Sequence, residues 1–399
     1  MKHRIVVLGA GYAGSFTAGN LARGLSPADT EITVVNAEPD FVQRMRLHQL
    51  ASGQEVAAPP LTDVFAGTGV RLRVARVTAV DPERRAVAVA DADGGGELGY
   101  DTLVYALGSQ AADHGVPGVP EHAFGVAGRP SALRLRGRLE RLDDGGRVLV
   151  VGDGLTGIET ATEIAESRPG LSVTLAADGE LGARLSVRAR AHLRRACERL
   201  GVTVQEHATV TAVEAAGAVC ADGTVLPADV TVWTAGFTAS PLAAAGGLEV
   251  TENGRIVVDR TMRSVSHPRV HAVGDSVHVL GDNGHPLPMS CASAGCTGRQ
   301  AVNAIIGRLT GREVANAKLT YLYNAISLGR RDGILQWVDG DGAAKPWCVG
   351  GRKAARFKSG VIGGALWGTR HPTMGLPRRR RRLATAPGAP AGDGGRVSA

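Results

Sequence analysis

Two glycine triplets with the same spacing are the residues whose pattern points most directly to chemistry. The first triplet is Gly9, Gly11 and Gly14, and the second is Gly152, Gly154 and Gly157. In such a motif the first glycine allows a tight turn, the second lets the backbone approach a pyrophosphate, and the third lets a helix pack closely on a strand. Because the spacing occurs twice, an ordinary glycine-rich turn is the weaker explanation, and two dinucleotide-binding units are predicted.

Each triplet needs a strand before it and a helix after it. Apolar runs rich in β-branched residues occupy positions 5–8 and 148–151, immediately ahead of the two triplets. A buried strand followed by a helix would place free backbone N–H groups and the positive end of the helix dipole against the pyrophosphate. Ala13 stands inside the first triplet and is included among the predicted cofactor contacts.

The position that recognises the adenosine ribose differs between the two units. Asn36 ends the second predicted strand of the first unit, where the fingerprint usually has Asp or Glu, and its amide can still accept one hydrogen bond and donate another. Glu38 is the alternative there. In the second unit the candidate is Asp178, with Ala177 as the alternative register. A carboxylate at this position would repel a 2′-phosphate, so NADH is predicted to be preferred over NADPH.

Length and composition restrict the class of protein. A chain of 399 residues exceeds what one hydrophobic core usually serves, so two or three domains are expected. The formal charge of +7 comes largely from the five arginines at 378–382, so the rest of the chain is nearly neutral and no nucleic-acid partner is expected for it. Five scattered cysteines argue for a reducing compartment.

Targeting signals are weak in this sequence. No run approaches the ~20 apolar residues of a membrane span. The basic start followed by an apolar stretch is interpreted as the first nucleotide-binding strand and not as a signal peptide. The protein is therefore expected in the cytoplasm, with peripheral contact at a membrane as the alternative.

The segment at residues 40–53 resembles the type II NADH dehydrogenases and their relatives among the flavoproteins with two dinucleotide folds. In that family a Leu-Tyr-Gln-Val-Ala run lies against the flavin, and here His48 replaces the tyrosine. The resemblance implies that Arg46, His48 and Gln49 lie near the isoalloxazine of FAD, whereas the alternative is a helix-capping surface patch. Disulfide reductases of the same superfold carry a cysteine pair in this region, and none occurs here.

Glu159 belongs to an extended form of the second motif, GxGxxGxExAxE, which is more specific than the glycines alone. By resemblance this carboxylate lies close to the nicotinamide and orients it, and together with His48 and Gln49 it forms the predicted catalytic group. The alternative is a solvated acid on a helix surface. No cluster of His and Cys residues predicts a metal site.

Further segments resemble parts of the flavin domain. They are a strand and glycine turn at 100–109, a return segment at 231–237 and the Gly-Asp pair that follows a strand ending near residue 273. Asp275 is implied to accept hydrogen bonds from the ribitol chain of FAD, with a ligand-free turn as the alternative. The cofactor contacts predicted from this resemblance are Arg44, Arg46, Ala106, Gly108, Gly236, Gly274 and Asp275.

Two other stretches bear on the flavin site. Residues 70–90 alternate apolar and polar side chains and predict antiparallel strands beside the parallel sheet. The loop at 289–301 is implied to pass the flavin ring, and quinone-reducing relatives usually carry an Ala-x-x-Gln-Gly pattern there. Thr297 takes the glutamine position, so quinone reduction is predicted to be poor. Cys291 and Cys296 have the spacing of a redox disulfide but are interpreted as structural thiols.

The C-terminal part resembles the same relatives from residue 327 onward, a region that ends in an amphipathic anchor in true membrane dehydrogenases. Here the corresponding segment at 357–367 is short and interrupted by glycine. The arginines at 378–382 and the Pro/Gly/Ala-rich residues behind them predict a disordered tail. This tail could contact anionic lipid or nucleic acid, with a solvated tail as the favoured interpretation.

These features predict an α/β protein with two Rossmann-like doubly wound domains, in which an NAD domain is inserted into an FAD domain, plus a small C-terminal segment. The expected division is 1–112 and 254–320 for the FAD-binding domain, 113–253 for the NAD(P)H-binding domain, 321–376 for the C-terminal segment and 377–399 for the basic tail.

The expected function is that of an FAD-dependent NAD(P)H dehydrogenase, which passes hydride from nicotinamide to flavin and electrons to a second acceptor, a quinone or a small molecule. A metabolite-tailoring oxidoreductase and a ferredoxin-type reductase are the enzymatic alternatives. A cofactor-binding sensor or scaffold is the alternative from another class. The sequence leaves open whether the protein is a monomer or a homodimer.

Overall fold

The structure, a computed structural model, describes residues 1–92, 94–339, 342–377 and 379–384 and shows a mixed α/β protein. The strands of the first third are β1 (His3–Leu8), β2 (Thr30–Asn36), β3 (Arg71–Val74), β4 (Arg76–Asp81), β5 (Ala86–Asp91), β6 (Gly94–Gly99), β7 (Thr102–Tyr105), β8 (Ser109–Ala111) and β9 (Ala123–Phe124). The helices of this part are α1 (Tyr12–Gly24), α2 (Leu47–Ala51), α3 (Leu61–Phe65) and α4 (Val119–His122).

The middle of the chain repeats the alternation of strands and helices. Its strands are β10 (Arg147–Val151), β11 (Ser172–Ala176), β12 (Thr203–Gln205), β13 (Val210–Glu214), β14 (Gly217–Cys220), β15 (Val225–Pro227), β16 (Val230–Trp233) and β17 (Phe237–Ala239). Its helices are α5 (Arg129–Leu139), α6 (Leu155–Ser167), α7 (Val187–Leu200) and α8 (Leu242–Ala245).

The last third contains the longest helices. Its strands are β18 (Ile256–Val257), β19 (Val270–Ala272), β20 (Val277–His278), β21 (Tyr323–Ser327), β22 (Gly333–Val338) and β23 (Ala344–Gly350), and its helices are α9 (Cys291–Thr310) and α10 (Arg352–Arg370). Among the described residues, no helix is both long enough and apolar enough to cross a bilayer.

Two parallel sheets form the frame of the molecule. The first has the strand order β19-β7-β1-β2-β3, and the second has the order β12-β11-β10-β16-β9. The inner strands β1 and β10 are buried on both faces, which explains why their sequences read as continuous apolar runs. The predicted α/β class with two doubly wound domains is therefore confirmed.

The second sheet lies in the chain between strands of the first sheet. The chain leaves the first sheet after β7 and returns to it at β19, and β8 pairs with β17 in antiparallel fashion where the two connections run side by side. This connectivity is that of one domain inserted into another. The exact division of the chain at residues 112 and 253 stays a prediction.

The segment predicted as antiparallel strands divides into two parts. Strands β4, β5 and β6 form the expected antiparallel sheet. Strand β3, however, pairs in parallel with β2 and forms the edge of the first sheet, so the prediction is wrong for Arg71–Val74. An edge strand that is solvated on one face alternates apolar and polar residues just as a strand of an antiparallel sheet does.

The C-terminal segment connects the two domains. Gln336 on β22 is fully buried and its amide oxygen accepts a hydrogen bond of 2.7 Å from the Ser186 hydroxyl at the start of α7. At the other end, the carbonyl oxygen of Pro372 after α10 accepts a bond of 3.1 Å from Asn20 on α1. Strands β21–β23 and helix α10 therefore hold the relative position of both parallel sheets.

Part of the arginine run is docked on the first domain. The backbone of Arg381 pairs with Leu25, and the Arg382 guanidinium lies 2.6 Å from an Asp29 carboxylate oxygen. The prediction of a free tail from residue 377 is wrong for these two residues, because backbone pairing and Asp29 provide them with partners. Residues 378 and 385–399 lie outside the described part of the chain.

Candidate functional site

The first glycine loop leaves open space at the start of α1. Gly9 has φ of +96°, and a side chain there would collide with the carbonyl oxygen of Ala106, while a side chain at Gly14 would collide with the carbonyl oxygen of Gly9. At Gly11, by contrast, a Cβ would meet no atom within 4 Å. The loop therefore keeps a gap in front of the helix N-terminus, as a bound pyrophosphate requires. Ala13 lies in the first turn of α1, directly after this loop.

A partly buried arginine, Arg44, lies close to Gly108. The Arg44 guanidinium donates a bond of 2.6 Å to the carbonyl oxygen of Ser109, and the Ser109 hydroxyl donates a bond of 2.7 Å to Asp275. Burial lowers the pKa of Arg44, while the nearby Asp275 carboxylate raises it. The structure thus brings together three predicted contacts, Arg44, Gly108 and Asp275, and adds Ser109, which the sequence analysis missed.

Gly274 fits tightly against the first glycine motif. A Cβ at Gly274 would lie 3.0 Å from the Ala13 Cβ, and its φ of +73° favours glycine. Asp275 follows directly, and its carboxylate is held by the Ser109 hydroxyl. The Arg44 cation and the Asp275 carboxylate, which are both bonded to Ser109, fit a diphosphate with a hydroxylated chain, and these are the corresponding parts of FAD.

Asn36 holds the glycine loop itself. Its amide oxygen accepts a bond of 2.8 Å from the Ala10 N–H, and its amide nitrogen donates a bond of 2.8 Å to the Glu38 carbonyl oxygen. The predicted ribose contact stays a prediction, since both of these groups already have protein partners. A cavity of about 510 Å³ adjoins this residue at the carboxyl ends of β2 and β3, and Ala37, Val74 and Ala75 are among its lining residues. Its position and partly apolar lining fit an adenine ring.

Three ionisable side chains meet between the two domains. His48 on α2 faces Glu159 on α6, with 3.9 Å between Nδ1 and a carboxylate oxygen. The other carboxylate oxygen of Glu159 accepts a bond of 2.9 Å from the Ser327 N–H and forms an ion pair with Lys358 on α10. Both side chains of this pair are about nine-tenths buried, so the interpretation of Glu159 as a solvated acid is wrong.

The histidine of this group is uncharged near neutral pH. Burial lowers the pKa of His48 to about 4, although Glu159 opposes the shift. The Nε2 atom of His48 has no hydrogen-bond partner among the described residues. Lys358 was missed by the sequence analysis, because the only local signal was a lysine among the apolar positions of a glycine-containing helix.

The remaining residues of the α2 segment form their own contact. The Arg46 Nε donates a bond of 2.6 Å to the Gln49 side-chain oxygen, next to the buried His48. The surface-patch interpretation is therefore wrong for His48, which is 4 % exposed. The roles of Arg46 and Gln49 near the flavin stay predictions.

The second glycine loop repeats the geometry of the first. Gly152 has φ of +102°, a Cβ at Gly154 would meet no atom within 4 Å, and a side chain at Gly157 would collide with the Gly152 carbonyl oxygen. The start of α6 therefore has the same gap for a pyrophosphate as the start of α1. Gly236, with φ of +133°, directly precedes β17.

The ribose position of the second unit lies just beyond β11. Ala177 is fully buried, and its backbone is bonded to Gln205 and Ala208. Asp178 is exposed, and its carboxylate accepts a bond from the Thr209 hydroxyl. Ala177 is therefore out of reach of a ligand, whereas the Asp178 carboxylate lies at the surface.

Thr297 has a different environment from the one expected. Its side chain is fully buried, and its hydroxyl donates to the Ser293 carbonyl and accepts a bond of 3.1 Å from the Gly274 N–H. Since this side chain packs beneath Gly274, the inference that a missing amide weakens quinone binding does not follow from the geometry.

The cysteines are all free thiols. Burial raises the pKa of Cys291 to about 12, and Cys296 has its pKa raised for the same reason. Neither thiol is thereby activated for redox exchange. Across the described residues, no group of three or more His, Cys, Asp or Glu side chains is placed to hold a metal ion.

Comparison with known proteins agrees with a site that is built to bind dinucleotides. Residues 3–298 match the family described as pyridine nucleotide-disulphide oxidoreductase. An NADH dehydrogenase-like protein of Mycobacterium tuberculosis is 31% identical over 351 residues, which cover 82% of this chain and 86% of that protein. A demethylphylloquinone reductase of Synechocystis is 27% identical, with 84% of this chain and 86% of that protein covered.

A solved structure shows the same fold. NDH2 from Plasmodium falciparum in complex with NADH superposes with a TM-score of 0.78 at 15% identity, and the match covers 94% of this chain and 97% of that one. The resemblance, the fold class and the two cofactors expected from the sequence are confirmed. The chain therefore belongs to the pyridine nucleotide-disulphide oxidoreductase family and is an FAD-dependent NAD(P)H oxidoreductase.

Proposed function

We propose that this protein passes electrons from NADH through FAD to a quinone at a membrane surface. The observation that carries the proposal is that α10 contacts both the buried Glu159 and the solvent. This helix sends Lys358 inward to the buried Glu159 and presents Phe357 and Trp367 outward to solvent. One element therefore connects the charged group between the domains with an apolar surface.

The proposed cofactor contacts follow from the two glycine loops. FAD lies across the gap at Gly11, with Arg44 against the diphosphate and Asp275 against the ribitol chain. NADH lies across the gap at Gly154, with Asp178 on the adenosine ribose. Bound FAD supplies the redox chemistry, because it accepts hydride from nicotinamide and gives up electrons to an acceptor. In this arrangement residues 1–112 with 254–320 bind FAD, and residues 113–253 bind NADH.

Glu159, His48 and Lys358 are proposed to shape the redox site. A buried charge is stable only when it is paired, so Lys358 holds the Glu159 carboxylate in position. The fixed carboxylate orients the nicotinamide, and the neutral imidazole of His48 has one ring nitrogen left for a ligand. Gln49, held by Arg46, provides an amide on the same helix.

A quinone is the proposed acceptor for two reasons. The similar proteins include one named demethylphylloquinone reductase and another named type II NADH:quinone oxidoreductase. In addition, Phe357 is 41% and Trp367 50% exposed, and exposed aromatic side chains are favoured at membrane interfaces, where quinones dissolve.

Basic residues beside these aromatic side chains favour an anionic membrane surface. Helix α10 carries exposed cationic side chains at Arg352, Lys353, Arg356 and Arg370. Each such charge contributes about 1 kcal/mol near anionic lipid and less at high salt. Four of them together with two aromatic side chains are enough for reversible binding.

The acceptor is tested by turnover with NADH and a panel of compounds. The panel contains a short-chain quinone, a long-chain quinone in phosphatidylglycerol vesicles, an iron–sulfur protein and small oxidised metabolites. The proposal expects quinones to be reduced fastest. Faster reduction of the iron–sulfur protein or of a metabolite would contradict it and would favour a ferredoxin-type or a metabolite-tailoring reductase.

The membrane contact is tested separately by sedimentation with the same vesicles. Trp367→Ala is expected to weaken vesicle binding several-fold. Trp347→Ala is the matched control, because Trp347 on β23 is exposed to a similar degree, 52%. Equal loss of binding in both variants, or no loss in Trp367→Ala, would exclude α10 as the contact.

A further inference from the structure

Glu163 is a buried carboxyl group that has no part in the cofactor contacts described above. It lies one helical turn after Glu159 on α6, and its side chain is fully buried. One carboxylate oxygen accepts hydrogen bonds from the Gln54 amide and, at 3.3 Å, from the Arg330 Nε. The other oxygen has no partner among the described residues. A buried carboxyl with an unused oxygen is unfavourable unless that oxygen has a partner such as water or carries a proton.

The two hydrogen-bond partners of Glu163 line a cavity that is open to solvent. Gln54 and Arg330 both line a polar cavity of about 530 Å³, together with Ser52 and Ser167. The Arg330 side chain is half exposed, so water reaches the guanidinium that holds the Glu163 carboxyl. The cavity lies at the end of α6 that is remote from the glycine loop.

Glu163 and Glu159 lie on the same face of α6. Residues four apart on a helix have Cβ atoms about 6 Å from each other, and the side chains of Glu163 and Glu159 are both buried. A single water molecule can bridge two polar groups that are too far apart for a direct hydrogen bond. Glu159 in turn lies beside His48. Helix α6 thus carries a row of acids from the open cavity to the site between the domains.

We propose that Glu163 is a relay residue that takes protons from water in this cavity and passes them towards Glu159 and His48. The inference rests on the proposed function, because reduction of a quinone by NADH consumes one proton from water. NADH delivers two electrons and one proton as hydride, and the quinol that forms carries two protons. The second proton leaves the Glu163 carboxyl, and cavity water restores it, so that Glu163 is unchanged after each cycle.

The charges around Glu163 agree with this role. Burial raises the pKa of its carboxyl group, whereas Arg330 and the Gln54 hydrogen bond lower it and Glu166 raises it further. The net direction is upward, so the proton is retained to a higher pH than on an exposed glutamate. Next to Glu159, the facing groups are Lys358 from α10 and His48 from α2, whose imidazole is neutral.

The test compares Glu163→Gln with Glu166→Gln in the FAD-loaded protein. Glu166 is the matched control, since it lies on the same helix and contacts Arg330 but is 27% exposed. Glu163→Gln is expected to reduce quinone turnover about tenfold or more, with a changed pH profile, as expected when a proton-transfer group is lost. Flavin reduction by NADH in the absence of oxygen should stay close to wild type in both variants, because hydride transfer does not use the relay.

A second readout does not depend on activity. The infrared band of a protonated carboxyl group should persist in the wild type above the pH at which an exposed glutamate loses its proton, be absent in Glu163→Gln and be retained in Glu166→Gln. If Glu163→Gln has a lowered melting temperature, Glu163→Asp replaces it and should keep both the band and the pH profile.

The outcomes separate the two proposals. A wild type that reduces quinone while Glu163→Gln shows the same rate and pH profile overturns the relay alone. Persistence of the carboxyl band in Glu163→Gln overturns it as well. A wild type that reduces no quinone overturns the proposed function, and no reaction then consumes the proton that Glu163 is proposed to pass on.

Discussion

Replacement of Gly11 by valine should abolish flavin binding and leave the protein folded. A Cβ at this position meets no atom within 4 Å, and the backbone angles of −69° and −169° are accessible to valine. The Cβ of the added side chain would therefore clash with no described atom of the protein. It would fill the gap at the start of α1 that is proposed to hold the FAD pyrophosphate.

The expected change in the free energy of unfolding is small because two effects oppose each other. Gly11 is the N-cap of α1, and an apolar residue there is less favourable than glycine by about 0.5–1 kcal/mol. Removal of a glycine also restricts the unfolded chain, which stabilises the fold by about 0.4–1 kcal/mol. The net change should lie within about 0.5 kcal/mol, well below what would unfold a domain.

Two matched variants make the comparison specific. Gly154 has the same open surroundings at the start of α6, so Gly154→Val should keep flavin and lose the response to NADH. Gly9→Ala should instead destabilise the first domain, because a left-handed backbone and a clash with Ala106 are both imposed. Flavin absorbance per chain after gel filtration and urea unfolding followed by circular dichroism measure these effects. Full flavin content in Gly11→Val, or flavin loss in folded Gly154→Val, would refute the assignment.

The remaining predictions concern the second cofactor, the buried ion pair and the chain end. Asp178→Ala should lower the ratio of the flavin reduction rates with NADH and NADPH by about tenfold, because a negative charge near the 2′-phosphate is removed. Rapid mixing measures both rates, and an unchanged ratio would mean that Asp178 does not reach the ribose. Lys358→Met should lower the free energy of unfolding by about 3 kcal/mol, because Glu159 is left buried without its cation, and Glu159→Gln combined with it should recover part of that loss in urea denaturation. If Lys358→Met and the double variant were equally stable, the Glu159 carboxylate left behind in Lys358→Met would have to be solvated. Deletion from Pro377 should lower the melting temperature slightly through loss of the Arg382 contact and leave flavin content unchanged.

The parts of the fold that the sequence predicted are those with local signatures. Glycine spacing and apolar runs determine the strand–turn–helix units, so both dinucleotide folds could be recognised without a structure. Strand β3 could not be separated from its antiparallel neighbours, because an edge strand and a hairpin strand have the same alternation. The docking of Arg381 was equally hidden, since charge composition does not report backbone pairing.

The site was predictable only where one motif supplies it. The contacts of Gly9, Gly11 and Asp275 belong to continuous segments, whereas the partnership of Glu159 with Lys358 depends on where the fold places α10 relative to α6. A sequence pattern also does not state which face of a helix a residue occupies, and for this reason Thr297 was assigned to the acceptor site although its side chain is buried beneath Gly274.

Rapid mixing without oxygen can follow both halves of the proposed reaction in one experiment. The FAD-loaded protein is mixed first with NADH and then with a short-chain quinone while flavin absorbance is followed. NADH should bleach the flavin, and the quinone should restore its absorbance within the time of one turnover. A flavin that stays oxidised with NADH, or that stays reduced in the presence of quinone, would contradict it.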